Sequence, residues 1–145
     1  MASFAELALE LMALGAPTAL VARCHRAAID EIAHATVLDR LAGRDGSRFG
    51  AIPQLLGRRI GGRFRRRRSH LARIALLSYR DGWLNEGLSA LDMEARAESA
   101  NTSEERHAFA RIAAEERGHA ELGRDVALWC FEESPQSVGR ALARV

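Results

Sequence analysis

The sequence predicts an all-α protein, a four-helix bundle with one long crossover, and three observations carry that prediction. Apolar residues recur three and four positions apart through most of the 145 residues, the spacing that lines one side of an α-helix. No convincing run of alternating β-branched residues asks for a strand. Helix-start and helix-stop residues divide the periodic stretches into four segments, with two short loops and one long central connection between them. With 48% hydrophobic and 28% charged residues, the chain has the composition of one globular domain spanning residues 1–145.

The first helix is expected from about Ser3 to Leu14, with Phe4, Leu7, Leu11 and Leu14 on one face. Ser3 and Glu6 form a capping box and Gly15 stops it. The second starts near Pro17, a favoured first-turn residue, and ends at Gly43. Residues 43–69 break the pattern with six glycines, Pro53 and a cluster of arginines, which makes them the crossover, with a short helical piece around Ile52 to Leu56. The third helix is expected from about His70 to Ala100. The fourth runs from a Thr102-x-x-Glu105 capping box to Glu133, where Ser134-Pro135 ends it and caps a short tail helix within residues 134–145.

Several classes of protein are excluded at this stage. No apolar run approaches the roughly 20 residues of a membrane span, and Glu6 and Glu10 stand where a signal peptide is basic and then apolar. The expectation is a cytoplasmic protein without a membrane partner. Cys24 and Cys130 match no metal or redox spacing and read as buried free thiols. All 21 basic residues are arginine. Seven of them lie between Arg58 and Arg68 without an acid, leaving fourteen arginines against nineteen acids elsewhere. An acidic bundle thus carries one basic loop, read as a solvated connection in preference to a nucleic-acid surface, since Phe64 is its single interleaved aromatic.

The chemistry lies on three inward faces. The second helix presents Leu20, Cys24, Ala27, Glu31, His34, Leu38 and Leu41 on one stripe, and the fourth presents Phe109, Ile112, Glu116, His119, Gly123, Val126 and Cys130. Each stripe is interrupted by Glu-x-x-His at its centre. The third helix offers Ala72, Ala75, Tyr79, Gly82, Glu86, Ser89 or Ala90, and Met93, with Glu86 at its middle. Burying an unpaired carboxylate costs several kcal/mol or more. Three carboxylates and two imidazoles converging without a buried arginine would be compensated by a pair of divalent cations, for which Glu oxygens and His nitrogens suit iron or manganese. A hydrogen-bonded polar network without metal is the competing reading, and it must still offset three like charges.

With these residues the chain resembles the ferritin-like superfamily of di-iron carboxylate proteins, and more closely its small bacterial ferritin-like domain proteins. The phrases ASFAELALELMALGAP, HRAAIDEIAHA, GWLNEGLSALDMEARA and RIAAEERGHAEL look like that group's helices one to four. The resemblance implies a ferritin-like bundle in which Glu31, Glu86 and Glu116 are carboxylate ligands and His34 and His119 imidazole ligands of two iron ions, manganese being the alternative. It further implies an oxidoreductase that activates dioxygen or peroxide on a small-molecule substrate. In related sequences a Glu of helix one lies about a turn before the stretch matching Met1–Phe4. That ligand is expected upstream, or from a partner, or the site works with five protein ligands; Glu6 and Glu10 fall on the far side of the helix.

The remaining candidates receive plainer readings. Tyr79, Trp83, Trp129 and Phe131 are expected to pack, and His25, His70 and His107 to sit on the surface. Asp30 or neighbouring acids are candidates to orient the histidine rings. The alternative function is a non-catalytic metal-binding, storage or interaction bundle with an incomplete ligand set. The short first helix leaves surface for self-association into a homo-oligomer.

Overall fold

The computed structural model describes residues 4–46 and 67–144, which form helices and short turns with no strand among them. α1 (Phe4–Leu14) leads into α2 (Thr18–Leu41). After the crossover, α3 (Arg67–Leu77), a π-helical segment (Ser78–Asn85) and α4 (Glu86–Ser99) follow without a break, then α5 (Ser103–Glu133) and the short α6 (Pro135–Leu142). Most of the crossover, including the expected helical piece at Ile52 to Leu56 and the arginines up to residue 66, lies outside the described residues, as does Ser3 of the first capping box.

The helix ends follow local chemistry. Gly15 and Gly43 close α1 and α2 at φ +73° and +71°, a conformation that a side chain disfavours. Pro17 stands one place earlier than the expected first turn, at the N-cap of α2. The Thr102 capping box forms as expected: the Glu105 amide donates to Thr102 Oγ1 at 3.1 Å, and the Thr102 amide donates to Glu105 Oε2 at 3.1 Å. Ser134 ends α5, and Pro135 opens α6 at its first turn, where its missing N–H costs no hydrogen bond.

Three stretches of helix repeat one order of side chains. On α2, apolar Cys24 and Ala27 precede Glu31 and His34, and then Val37 and Leu38; on α5, Ile112 and Ala113 precede Glu116 and His119, and then Leu122 and Val126. On the third stretch, Leu71, Ile74 and Ala75 precede Glu86 and then Met93. The larger apolar cluster joins α1, α2, α3, α5 and α6, with Leu11, Leu71, Val126 and Val138 fully buried. The smaller one joins Met93, Ile112 and Ala113 at the other end. A polar layer therefore lies between two apolar clusters, and truncating Leu11 or Leu71 to alanine should cost about 2–5 kcal/mol. Cys24 and Cys130 are buried free thiols, and burial pushes them up to about 11 and about 12 respectively.

The third stretch departs from expectation in three ways. It begins at Arg67, so Arg67, Arg68 and Ser69 are helical and not part of the loop. Its buried face before Glu86 is Leu71, Ile74, Ala75, Ser78 and Gly82. Ala72 and Tyr79 are only half-buried beside it. The cause is the π segment. Its i→i+5 hydrogen bonds hold more residues per turn, so Ser78, Gly82, Glu86 and Ala90, spaced four apart, keep to one line where a uniform α-helix would let them drift. Trp83 and Phe131, expected to pack, are 41% and 43% exposed, whereas Trp129 is buried. Trp83 meets Tyr79 edge-on with ring centres 5.4 Å apart.

Two glycines let the widened segment touch α5. A Cβ on Gly123 would stand 2.4 Å from the Gly82 carbonyl carbon and 2.6 Å from the Trp83 nitrogen. Both are backbone atoms that cannot swing aside. Gly123→Ala is therefore expected to destabilise the protein by about 1–3 kcal/mol, whereas Gly118→Ala, which meets nothing within 4 Å, should stabilise it by up to about 1 kcal/mol through helix propensity. Urea unfolding of the two variants checks this, and a Gly123→Ala protein as stable as the parent would refute the close contact.

Candidate metal centre

Glu31, Glu86, Glu116 and His119 each offer one ligand atom, and these four atoms lie within 4.8 Å of one another. Three separate helices supply them: α2, the start of α4 immediately after the π segment, and α5. Glu116 and His119 are buried, at 6% and 3% exposure, while Glu31 and Glu86 are half-buried. The fifth expected ligand, His34, is not in that set of four but borders it. It is buried, with its ring centre 5.7 Å from that of His119 and its Nδ1 3.5 Å from Glu116 Oε1.

The two imidazoles are held in the same manner. His119 turns Nδ1 toward Glu31 Oε1 at 3.4 Å and Glu116 Oε2 at 3.3 Å, and Nε2 toward Asp30 Oδ2 at 3.2 Å. His34 turns Nδ1 toward Glu116 and Nε2 toward Glu115 Oε2 at 2.7 Å. Each ring thus presents Nδ1 to the cluster and is fixed from behind by an acid on the opposite helix: Asp30 of α2 for His119 of α5, and Glu115 of α5 for His34 of α2. Such an outer carboxylate sets the tautomer and orientation of a metal-binding histidine. The Ser89 hydroxyl donates to Glu116 Oε1 at 3.1 Å, and the Phe4 ring covers His119 with centres 5.1 Å apart.

The protonation states follow from crowding like charges in a half-dry layer. Burial and then the neighbouring Glu116 push Glu86 up to about 8, so it holds a proton at neutral pH. For Glu116 burial pulls upward, but hydrogen bonding to His119, His34 and Glu86 outweighs it and holds the carboxyl well below its usual range. Burial opposes charge on His119 and is outweighed by Glu116, Glu31 and Asp30, which raise the ring to about 10. His34 is raised likewise, against burial, by Glu116 and Glu115.

The donor set fits a divalent cation on a specific observation. Nδ1 of His34, in a side chain 3% exposed, has no hydrogen-bond partner, and a buried nitrogen left without one costs about 1–3 kcal/mol. Its nearest carboxylate oxygen, Glu116 Oε1, stands 3.5 Å away without hydrogen-bond geometry. A cation would satisfy both.

Of the other expectations, Asp30 does orient a ring, and Ser89 and Ala90 divide between the site and the core. Glu115 was not singled out, although a signal was present: an acid directly precedes the Glu in both tetrads, as Asp30-Glu31-x-x-His34 and Glu115-Glu116-x-x-His119. Glu10 pairs with Arg73 and lies 3.9 Å from His70, so it serves α1–α3 packing and not the cluster. His25 and His107 are exposed and His70 is half-buried. No helix among the described residues is long and apolar enough to cross a membrane. Compared with protein-family models, with curated proteins and with solved structures, the chain matches none of them.

The metal-free chain should lose stability in both directions of pH. Glu116, lowered in the fold, contributes stability that is present above pH 4.5 and lost as pH falls below it. Glu86 and His119, raised to about 8 and about 10, contribute stability lost as pH rises, from 4.5 to 8 for the first and from 6.5 to 10 for the second. Urea midpoints measured with chelator present are expected to peak near pH 5 and decline to pH 10. A midpoint rising between pH 6 and 9 would contradict these protonation states.

Proposed function

We propose that this chain is a metal-dependent oxidoreductase of the ferritin-like kind, with two iron ions in the polar layer and dioxygen or peroxide as oxidant. The observation that carries the reading is the convergence of Glu31, Glu86, Glu116 and His119 from three helices, bordered by the unpartnered Nδ1 of His34. Both Glu-x-x-His tetrads contribute to it. The all-helical architecture, with a long connection between the second and third helical stretches, supports the same reading.

Iron bound there supplies one-electron redox steps and open coordination positions for an oxygen species. The protein's own part is to prepare that place. Asp30 and Glu115 accept from the Nε2–H of each ring and so keep Nδ1 free to act as a donor atom. Ser89 holds one oxygen of Glu116, and Phe4 excludes water beside His119. Glu86 and His119 must give up protons when a cation arrives, so binding releases protons and tightens with rising pH.

A second reading is favoured by the asymmetry of the cluster: four ligand atoms group tightly around Glu116 and His119, while His34 stands apart. A non-catalytic protein holding a metal for stability or storage fits that arrangement.

Metal analysis separates the two readings. Under the first, anaerobic titration with ferrous iron should saturate at about two ions per chain, and air should then produce an oxo-bridged near-ultraviolet band. Glu116→Gln, folded by circular dichroism, should lose at least half of the iron. Retention of zinc alone, or of a single redox-inert ion, would establish the second reading, and no metal binding at all would overturn both.

A further inference from the structure

At the end of the molecule remote from the polar layer, α6 folds back against α3, with Val138 buried in the same cluster as Leu71. Between the two helices lies an open cavity of about 470 Å³, a size usual for small-ligand sites. Arg68 lines it from α3, and Arg140 and Arg144 line it from the α6 side, with Ser137, Ala72 and Ala141 among its other lining residues. No acid lines this cavity. Arg67 next door is neutralised by Glu133 at 2.7 Å, whereas among the described residues none of the three lining arginines is in an ion pair. The first turn of α3 holds no acid either.

Three arginines lining one concavity without an ion pair concentrate positive charge there, and an anion offsets it. Arginine forks match phosphate oxygens in pairs, and the Ser137 hydroxyl adds one donor. From this geometry we infer that the cavity between α3 and α6 binds the phosphate groups of a small phosphorylated ligand. A diphosphate, with about three negative charges at neutral pH, balances Arg68, Arg140 and Arg144. The site is independent of any metal in the polar layer.

Calorimetric titration of the full chain with inorganic pyrophosphate, at fixed ionic strength, tests this. One site per chain is expected, weakened about tenfold or more in Arg68→Ala and in Arg140→Ala, with Arg140→Lys intermediate because it keeps the charge but not the fork. These side chains are exposed, so the variants should unfold as the parent does. A parallel titration with ADP distinguishes the source of the phosphate: tighter binding than pyrophosphate marks a nucleotide, and equal binding marks free phosphate chemistry. Absence of heat with both ligands, or binding unchanged in both alanine variants, would overturn the inference. So would a single-stranded RNA that pyrophosphate cannot displace, which would make the surface a nucleic-acid one.

Discussion

The structure depends on keeping three carboxylates and two imidazoles together in a layer that two apolar clusters close from either side. Ionised carboxylates in such a place repel one another and lose their hydration, and only positive charge keeps them. In the metal-free chain protons supply it. Glu86 retains its own, His119 carries one between Glu116, Glu31 and Asp30, and Glu116 remains ionised at the centre. The arrangement is held by a small number of exchangeable protons, which any cation bound there would displace.

The surrounding helices are adapted to that layer. Glu86 stands at the first position after a π segment, and short π segments inside α-helices occur often at functional sites. Here the widened turn carries Gly82 against Gly123 while delivering Glu86 to the layer. A regular α-helix over the same residues could not keep both Ser78 and Ala90 buried on one line with it. Local distortion is thus the means by which a third carboxylate arrives beside two tetrads whose own helices are regular.

Much of this was legible in the sequence because the two tetrad helices keep a constant period. The stripes from Leu20 to Leu41 and from Phe109 to Cys130 correspond to the side chains that are buried or half-buried on α2 and α5. Prediction failed where the period changed: Leu71, Ile74 and Ser78 replaced Ala72 and Tyr79 because one uniform helical phase was carried back through the π turn. Glu115 was visible as the partner of Asp30 only through the likeness of the two tetrads. The cavity of Arg68, Arg140 and Arg144 left no local signal, since its walls lie some seventy residues apart and meet only when α6 folds back.

The exchanged support of the two rings has a mechanical corollary. The Nε2 of each imidazole is held by an acid of the neighbouring helix, so α2 and α5 are pinned to a single axial offset at two points. Sliding either rod by one turn, about 5.4 Å, would unseat both rings together. Neither helix can therefore diverge alone: whatever alters the pitch or seating of one is felt at the histidine of the other, and the pair must be inherited or redesigned as a unit.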